Sequence, residues 1–178
     1  MQIKHKFLLL LFIALSKTAF GQEIMTYKGS KQYPATASWN FICENYALTG
    51  ITKVQIAKSD KGGLLKLATQ TTDSSFNIEG TVYIYLSDNS IIVCSDKGIR
   101  ENTGNQIISY YSFSEIEMNK LRKRDIESLR FNIKGNQKKF SSQTGNFTAS
   151  NEKVSFKTDN AKTNRIYNTA QEISALYK

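Results

Sequence analysis

The run from Thr81 to Ser95 constrains the fold more than any other stretch of this chain. Two β-rich segments, Thr81 to Leu86 and Ser90 to Cys94, flank Asp88-Asn89, a pair that tolerates the positive φ of a tight turn. A two-residue turn there pairs Leu86 with Ile91, Ile84 with Val93 and Tyr83 with Cys94. That register puts Val82, Ile84, Leu86, Ile91 and Val93 on one face and Tyr83, Tyr85, Ile92 and Cys94 on the other. Neither face is polar, so the sheet needs cover on both sides, from a helix, a second sheet or closure into a barrel.

The same period of two recurs on either side. Trp39, Phe41 and Cys43 share one strand face, and Val54 and Ile56 share another. Asp60-Lys61-Gly62-Gly63 is a turn, and Leu64 to Ala68 resumes the extended pattern. Gln106 to Phe113 is a strand with Ile107, Tyr111 and Phe113 marking one face and Ile108 and Tyr110 the other. Ser114 and Glu117 then have the spacing of a capping box, with Phe113 and Met118 as its hydrophobic staple, so a short helix runs to Arg122 or Lys123. Ile126, Leu129, Phe131 and Ile133 mark a segment that changes from helical to extended spacing. Asn136 to Glu152 is rich in Ser, Thr, Asn and Gln and reads as a loop or a weakly paired hairpin, and Val154 and Phe156 as the last strand residues. From Thr163 to Tyr177, Ile166, Ala170, Ile173 and Tyr177 recur at helical spacing, with Leu176 beside them, and need a surface to lie on. No repeated βα unit appears. The expected fold is α+β, mainly antiparallel sheet, sandwich-like or a small barrel, with one short internal helix and a C-terminal amphipathic helix.

The first 21 residues read as a secretory signal peptide: Lys4 and Lys6, an apolar run from Phe7 to Leu15, then Ala19-Phe20-Gly21 as a small-x-small cleavage site. That apolar run is too short to span a hydrocarbon core, which takes roughly 20 residues. Residues 22–37 are a polar lead-in containing the sole proline, Pro34, and residues 38–178 are a single β-rich domain. The expected location is periplasmic or secreted, with no membrane span after cleavage near Gly21/Gln22. In such a compartment Cys43 and Cys94, the only two cysteines, are expected to form a disulfide.

Cleavage removes His5, the only histidine, and with it His-based triads and His metal sites. It also removes Lys4, Lys6 and Lys17, so the formal charge falls from +9 to +6. The remaining excess lies in the second half, densest at Lys120, Arg122, Lys123 and Arg124. That cluster is a candidate patch for an anionic partner: an envelope polymer, a lipid surface or an acidic protein groove. No nucleic-acid motif accompanies it. Tyr83, Tyr85, Tyr110 and Tyr111, together with Trp39 and Phe41, are candidates for an aromatic pocket taking a sugar or an apolar ligand. Asp88 and Asp96 flank the hairpin and Glu115 and Glu117 open the short helix, but no spacing selects a catalytic pair. Gly62-Gly63 lacks the rest of any cofactor loop, and no metal cluster is present, so no cofactor is called. Three functions follow in order: a non-enzymatic exported domain binding a protein or envelope component, a carrier of a small apolar or saccharide ligand, and a His-independent hydrolase.

Overall fold

Alternating apolar residues build most of the strands, and their pairing decides what the alternation encloses. In this computed structural model residues 22–135, 141–152 and 166–178 are described. The elements are β1 Glu23–Tyr27, β2 Lys31–Ala35, β3 Trp39–Cys43, β4 Ile51–Ser59, β5 Gly62–Gln70, β6 Asn77–Leu86, β7 Ile91–Arg100, β8 Gln106–Phe113, α1 Glu115–Leu121, β9 Ile126–Lys134, β10 Gly145–Ser150 and α2 Thr169–Ala175. The strands lie in the order β1-β2-β4-β3-β10-β9-β6-β7-β8-β5, and β5 also pairs with β4. Eight strands, β3 to β10, therefore close into an antiparallel barrel, with the β1–β2 hairpin attached outside through β4.

Closure turns one side of every strand toward the axis. Trp39, Phe41 and Cys43 of β3, Val54 and Ile56 of β4, Leu65 and Leu67 of β5, Tyr111 and Phe113 of β8, Leu129, Phe131 and Ile133 of β9, and Phe147 and Ala149 of β10 join one buried cluster. The outer faces of β4, β5 and β8 form a second cluster, in which Ala57, Leu64, Ala68, Ile108 and Tyr110 pack beneath Met25, Tyr27 and Ala35 of the hairpin. The polar lead-in thus folds as a strand pair that roofs one wall of the barrel.

Both helices sit at the same end of the barrel. The Ser114–Glu117 capping box starts α1 as the spacing predicts, and Met118 and Leu121 are buried. In α2, Ile173 and the following Leu176 join the barrel cluster. Asn168 makes no side-chain cap, and the Asp125 carboxylate accepts from Ala170 N–H instead, at 2.9 Å. Asn151, fully buried, donates to the carbonyls of Ile126 and Tyr167 and accepts from Tyr167 N–H, tying the segment before α2 to the ends of β9 and β10. Trp39 Nε1 donates to Glu172 at 2.8 Å. The C-terminal helix is shorter than the sequence period implies, and it closes a barrel end rather than covering a sheet face.

Four expectations are corrected. The β6–β7 turn has three residues, not two: Leu86 N–H donates to Ser90 O, Asn89 N–H donates to Leu86 O, and Asn89 takes φ 63°. The register becomes Val82↔Cys94, Tyr83↔Val93, Ile84↔Ile92 and Tyr85↔Ile91. One extra turn residue flips β7, so Ile92 and Cys94 point inward with Val82, Ile84 and Leu86, while Ile91 and Val93 join Tyr83 and Tyr85 outside. Secondly, Cys43 and Cys94 are both free and buried, not bridged. They stand on β3 and β7, which face each other across the eight-stranded ring with packed side chains between them, whereas a disulfide needs Cα atoms within about 7 Å. Thirdly, the segment read as a loop or weak hairpin contains β10, which pairs with both β9 and β3 and completes the barrel. Finally, the helical spacing of Ile126 and Leu129 comes from a bulge at Glu127, where Tyr85↔Ser128 is followed by Leu86↔Ile126. The signal segment, Val154 and Phe156 lie outside the described residues.

Candidate functional site: the cleft beside the N-terminal hairpin

β2 touches the barrel only briefly. Its pairing with β4 is confined to Ala35↔Ala57, supplemented by Thr36 N–H to Ile56 O at 2.9 Å. From Pro34 back to Lys31 the strand leaves β4 unpaired, and a wedge opens between it and Lys58–Asp60. Two adjoining hollows of about 560 and 750 Å³ share Lys31, Tyr33, Ser59 and Asp60. One runs toward Glu115 and Tyr177, the other beneath the hairpin turn to Ser95, Ser112 and Ser114. Ser95 and Ser112 are paired across β7 and β8 and point outward together.

The cleft floor depends on two glycines. A Cβ at Gly63 would lie 2.2 Å from the Phe113 ring, and one at Gly62, where φ is 131°, would lie 2.3 Å from Phe113 O. Side chains at these positions would push the start of β5 off the end of β8. Tyr27 and Tyr33 line the cleft and meet edge-on at 6.3 Å, and Tyr27 rests in turn on Tyr110 behind it at 5.3 Å. Tyr33 is half-buried. Tyr110 is fully buried, donates to Glu101 Oε2 at 2.5 Å, and has its pKa raised by burial and by that carboxylate. At the far lip, Lys58 Nζ lies 4.2 Å and the Arg122 guanidinium 4.0 Å from the centroid of the Tyr177 ring. Glu117 is occupied by its capping box, accepting from Ser114 N–H at 2.6 Å and Oγ at 2.8 Å.

The four tyrosines singled out from the sequence do not come together. Tyr111 points into the barrel and Tyr110 out beneath the hairpin, because they are neighbours on one strand. Tyr83 and Tyr85 lie on the open outer face of β6. The basic cluster is divided as well. Arg122 packs on Tyr177 and Arg124 bonds to Asp88 at 3.2 Å, while Lys120 and Lys123 are exposed. The cleft residues Lys28, Lys31, Tyr27 and Tyr33 sit in a segment that reads as merely polar. The available signal was Met25 and Tyr27 alternating ahead of a Lys28-Gly29-Ser30 turn.

Asp88 and Asp96, like Glu117, are engaged. Hydrogen bonds from Ser90 hold the Asp88 carboxyl below its usual range. Partial burial opposes charge on Asp96, but the Arg100 guanidinium at 2.6 and 2.9 Å and the amides of Gly98 and Gly80 outweigh it, and its pKa is lowered. Burial pushes the Cys43 thiol up to about 11 and Cys94 higher still, which suppresses the nucleophilic thiolate at neutral pH. Among the described residues no three His, Cys, Asp or Glu side chains gather as a metal site. No helix among them is long and apolar enough to cross a membrane.

Comparison with protein-family models, curated proteins and solved structures finds no match for this chain. Its chemistry is therefore read from its own geometry: a small β-barrel domain with two buried aromatic clusters, one inside the barrel and one bordering the cleft.

Proposed function

We propose that this protein is an exported, non-catalytic carrier of a small saccharide, held in the cleft between the β1–β2 hairpin and the barrel. The carrying observation is the wedge itself: Tyr33 stands at the junction of two hollows whose walls combine the rings of Tyr27 and Tyr177 with lysines, serines and a few carboxylates. A few aromatic rings set among hydroxyl, ammonium and carboxylate groups suit a hydroxylated ligand better than an apolar one. The barrel axis is a poorer place for it, since Trp39, Phe41, Tyr111 and Phe131 are packed there and the helices close one end. A second reading, docking of a protein, is supported by the outward stripe of Tyr83, Ile91 and Val93, all exposed.

Amide NMR spectra recorded while oligosaccharides are added to the purified protein test the choice. Shifts at Tyr33, Ser59 and Ser112 that vanish in Tyr33→Ala are the expected result. Saccharide-induced shifts confined to Tyr83, Tyr85 and Ile91, or none with any sugar, would overturn the cleft reading.

A further inference from the structure

We infer that the ligand of this cleft is an acidic saccharide, one bearing carboxylate groups; the inference rests on the cleft being the ligand site. Three separate turns deliver cations to its rim. Lys28 sits in the hairpin turn at φ 54°, followed by Gly29 at φ 68°. Lys61 occupies the β4–β5 turn, and Lys97 the bulge where β7 fits extra residues between Asp96↔Tyr111 and Arg100↔Ser109. That bulge is held in shape from behind, because Asp96 accepts from Gly98 N–H at 2.8 Å and from both terminal nitrogens of Arg100. Lys31, on the diverging edge of β2, completes the group.

Elsewhere on the barrel some cations are paired, Arg124 with Asp88 and Lys134 with Glu79 at 3.9 Å, and others, such as Lys53, Lys120 and Lys123, stand exposed; what distinguishes the cleft is that its lysines converge on one concave rim. None of Lys28, Lys31, Lys61 and Lys97 is in an ion pair with a described residue. Of the acids near them, Glu117 is turned back onto its own helix start. With Lys58 the lining holds five lysines against Asp60, Glu115 and Glu117, a net charge of +2. Like charges brought to one concave rim repel unless an anion enters, so a carboxylate-bearing chain gains at each contact what a neutral sugar cannot. Because these contacts are exposed, the gain per lysine is modest and falls with salt.

The test is isothermal titration of the purified protein with oligogalacturonate and, separately, with its fully methyl-esterified counterpart, each at low and high salt. The acid form is expected to bind at least about tenfold more tightly, with the advantage lost at high salt. In Lys31→Ala/Lys61→Ala, affinity for the acid form should fall about tenfold while the ester is unaffected, and Lys53→Ala, at the other end of β4, should change neither. Equal binding of acid and ester, or acid binding indifferent to Lys31 and Lys61, overturns the charge inference while leaving the cleft reading in place. If neither form binds and no cleft amide moves, both fall.

Discussion

The outer face of β4, β5 and β8 and the outer face of β6 and β7 start from the same kind of strand, apolar on both sides. On the first wall the hairpin lies over Leu64, Ala68 and Tyr110 and takes them out of water. On the second, Ile91 is 47% and Val93 52% exposed, and nothing among the described residues covers them. Two-sided apolar patterning thus says that cover is possible, not that the chain supplies it. The difference is one of available segment: β1–β2 is joined to β3 by a short link, so it reaches the wall beside β3 and not the one opposite.

Breaking the covered side should cost most. Tyr110→Ala empties a fully buried position under the hairpin and should destabilise by about 3–5 kcal/mol in urea unfolding. Met25→Ala, from the hairpin side of the same contact, should cost about 2–3 kcal/mol. It should also raise amide exchange in β1 and β2 before the barrel strands. A smaller effect belongs to the Asp96–Arg100 clip beside the open wall. The Asp96 pKa is lower in the folded protein than in the unfolded chain. Its contribution is therefore present above the unfolded value, roughly 3.9, and lost as pH falls through the folded one. Asp96→Asn should lose about 1 kcal/mol at neutral pH and show a shallower decline in stability toward acid, measured by thermal melts across pH. Smallest of all, Val93→Thr should stay within about 0.5 kcal/mol of the parent. If it costs as much as Met25→Ala, the second wall is covered in solution and the contrast between the walls disappears.

What was legible follows from what each pattern encodes. A period of two in Trp39–Cys43 and Gln106–Phe113 locates strands and faces because burial on the axis demands it. Ser114 and Glu117 place a helix start because a capping box is a local bond pattern. The β6–β7 register was not readable, since Asp88-Asn89 suits both two- and three-residue turns and only the ladder decides. β10 was hidden because its contribution to the interior is only Phe147 and Ala149, set among Asn, Thr and Ser that face away. The tyrosine group failed as a site for a simpler reason, that strand neighbours such as Tyr110 and Tyr111 cannot share a face. The cysteines failed because pairing was inferred from compartment, and compartment says nothing about which walls they occupy. The cleft depends on where β2 leaves β4, which is a property of three-dimensional divergence and leaves little trace in residue order.

The closing pair Cys43↔Ala149 joins the first barrel strand to the last, so the ring cannot be completed from local contacts alone. Until β10 arrives, β3 and β9 present raw edges to any neighbouring chain, a stage at which strand-to-strand aggregation competes with closure. A topology of this kind folds slowly for its size, in milliseconds to seconds rather than microseconds. A chain ending before Gly145 would keep most of its apolar residues and lose its means of hiding two edges, and its fate would be to associate rather than to fold.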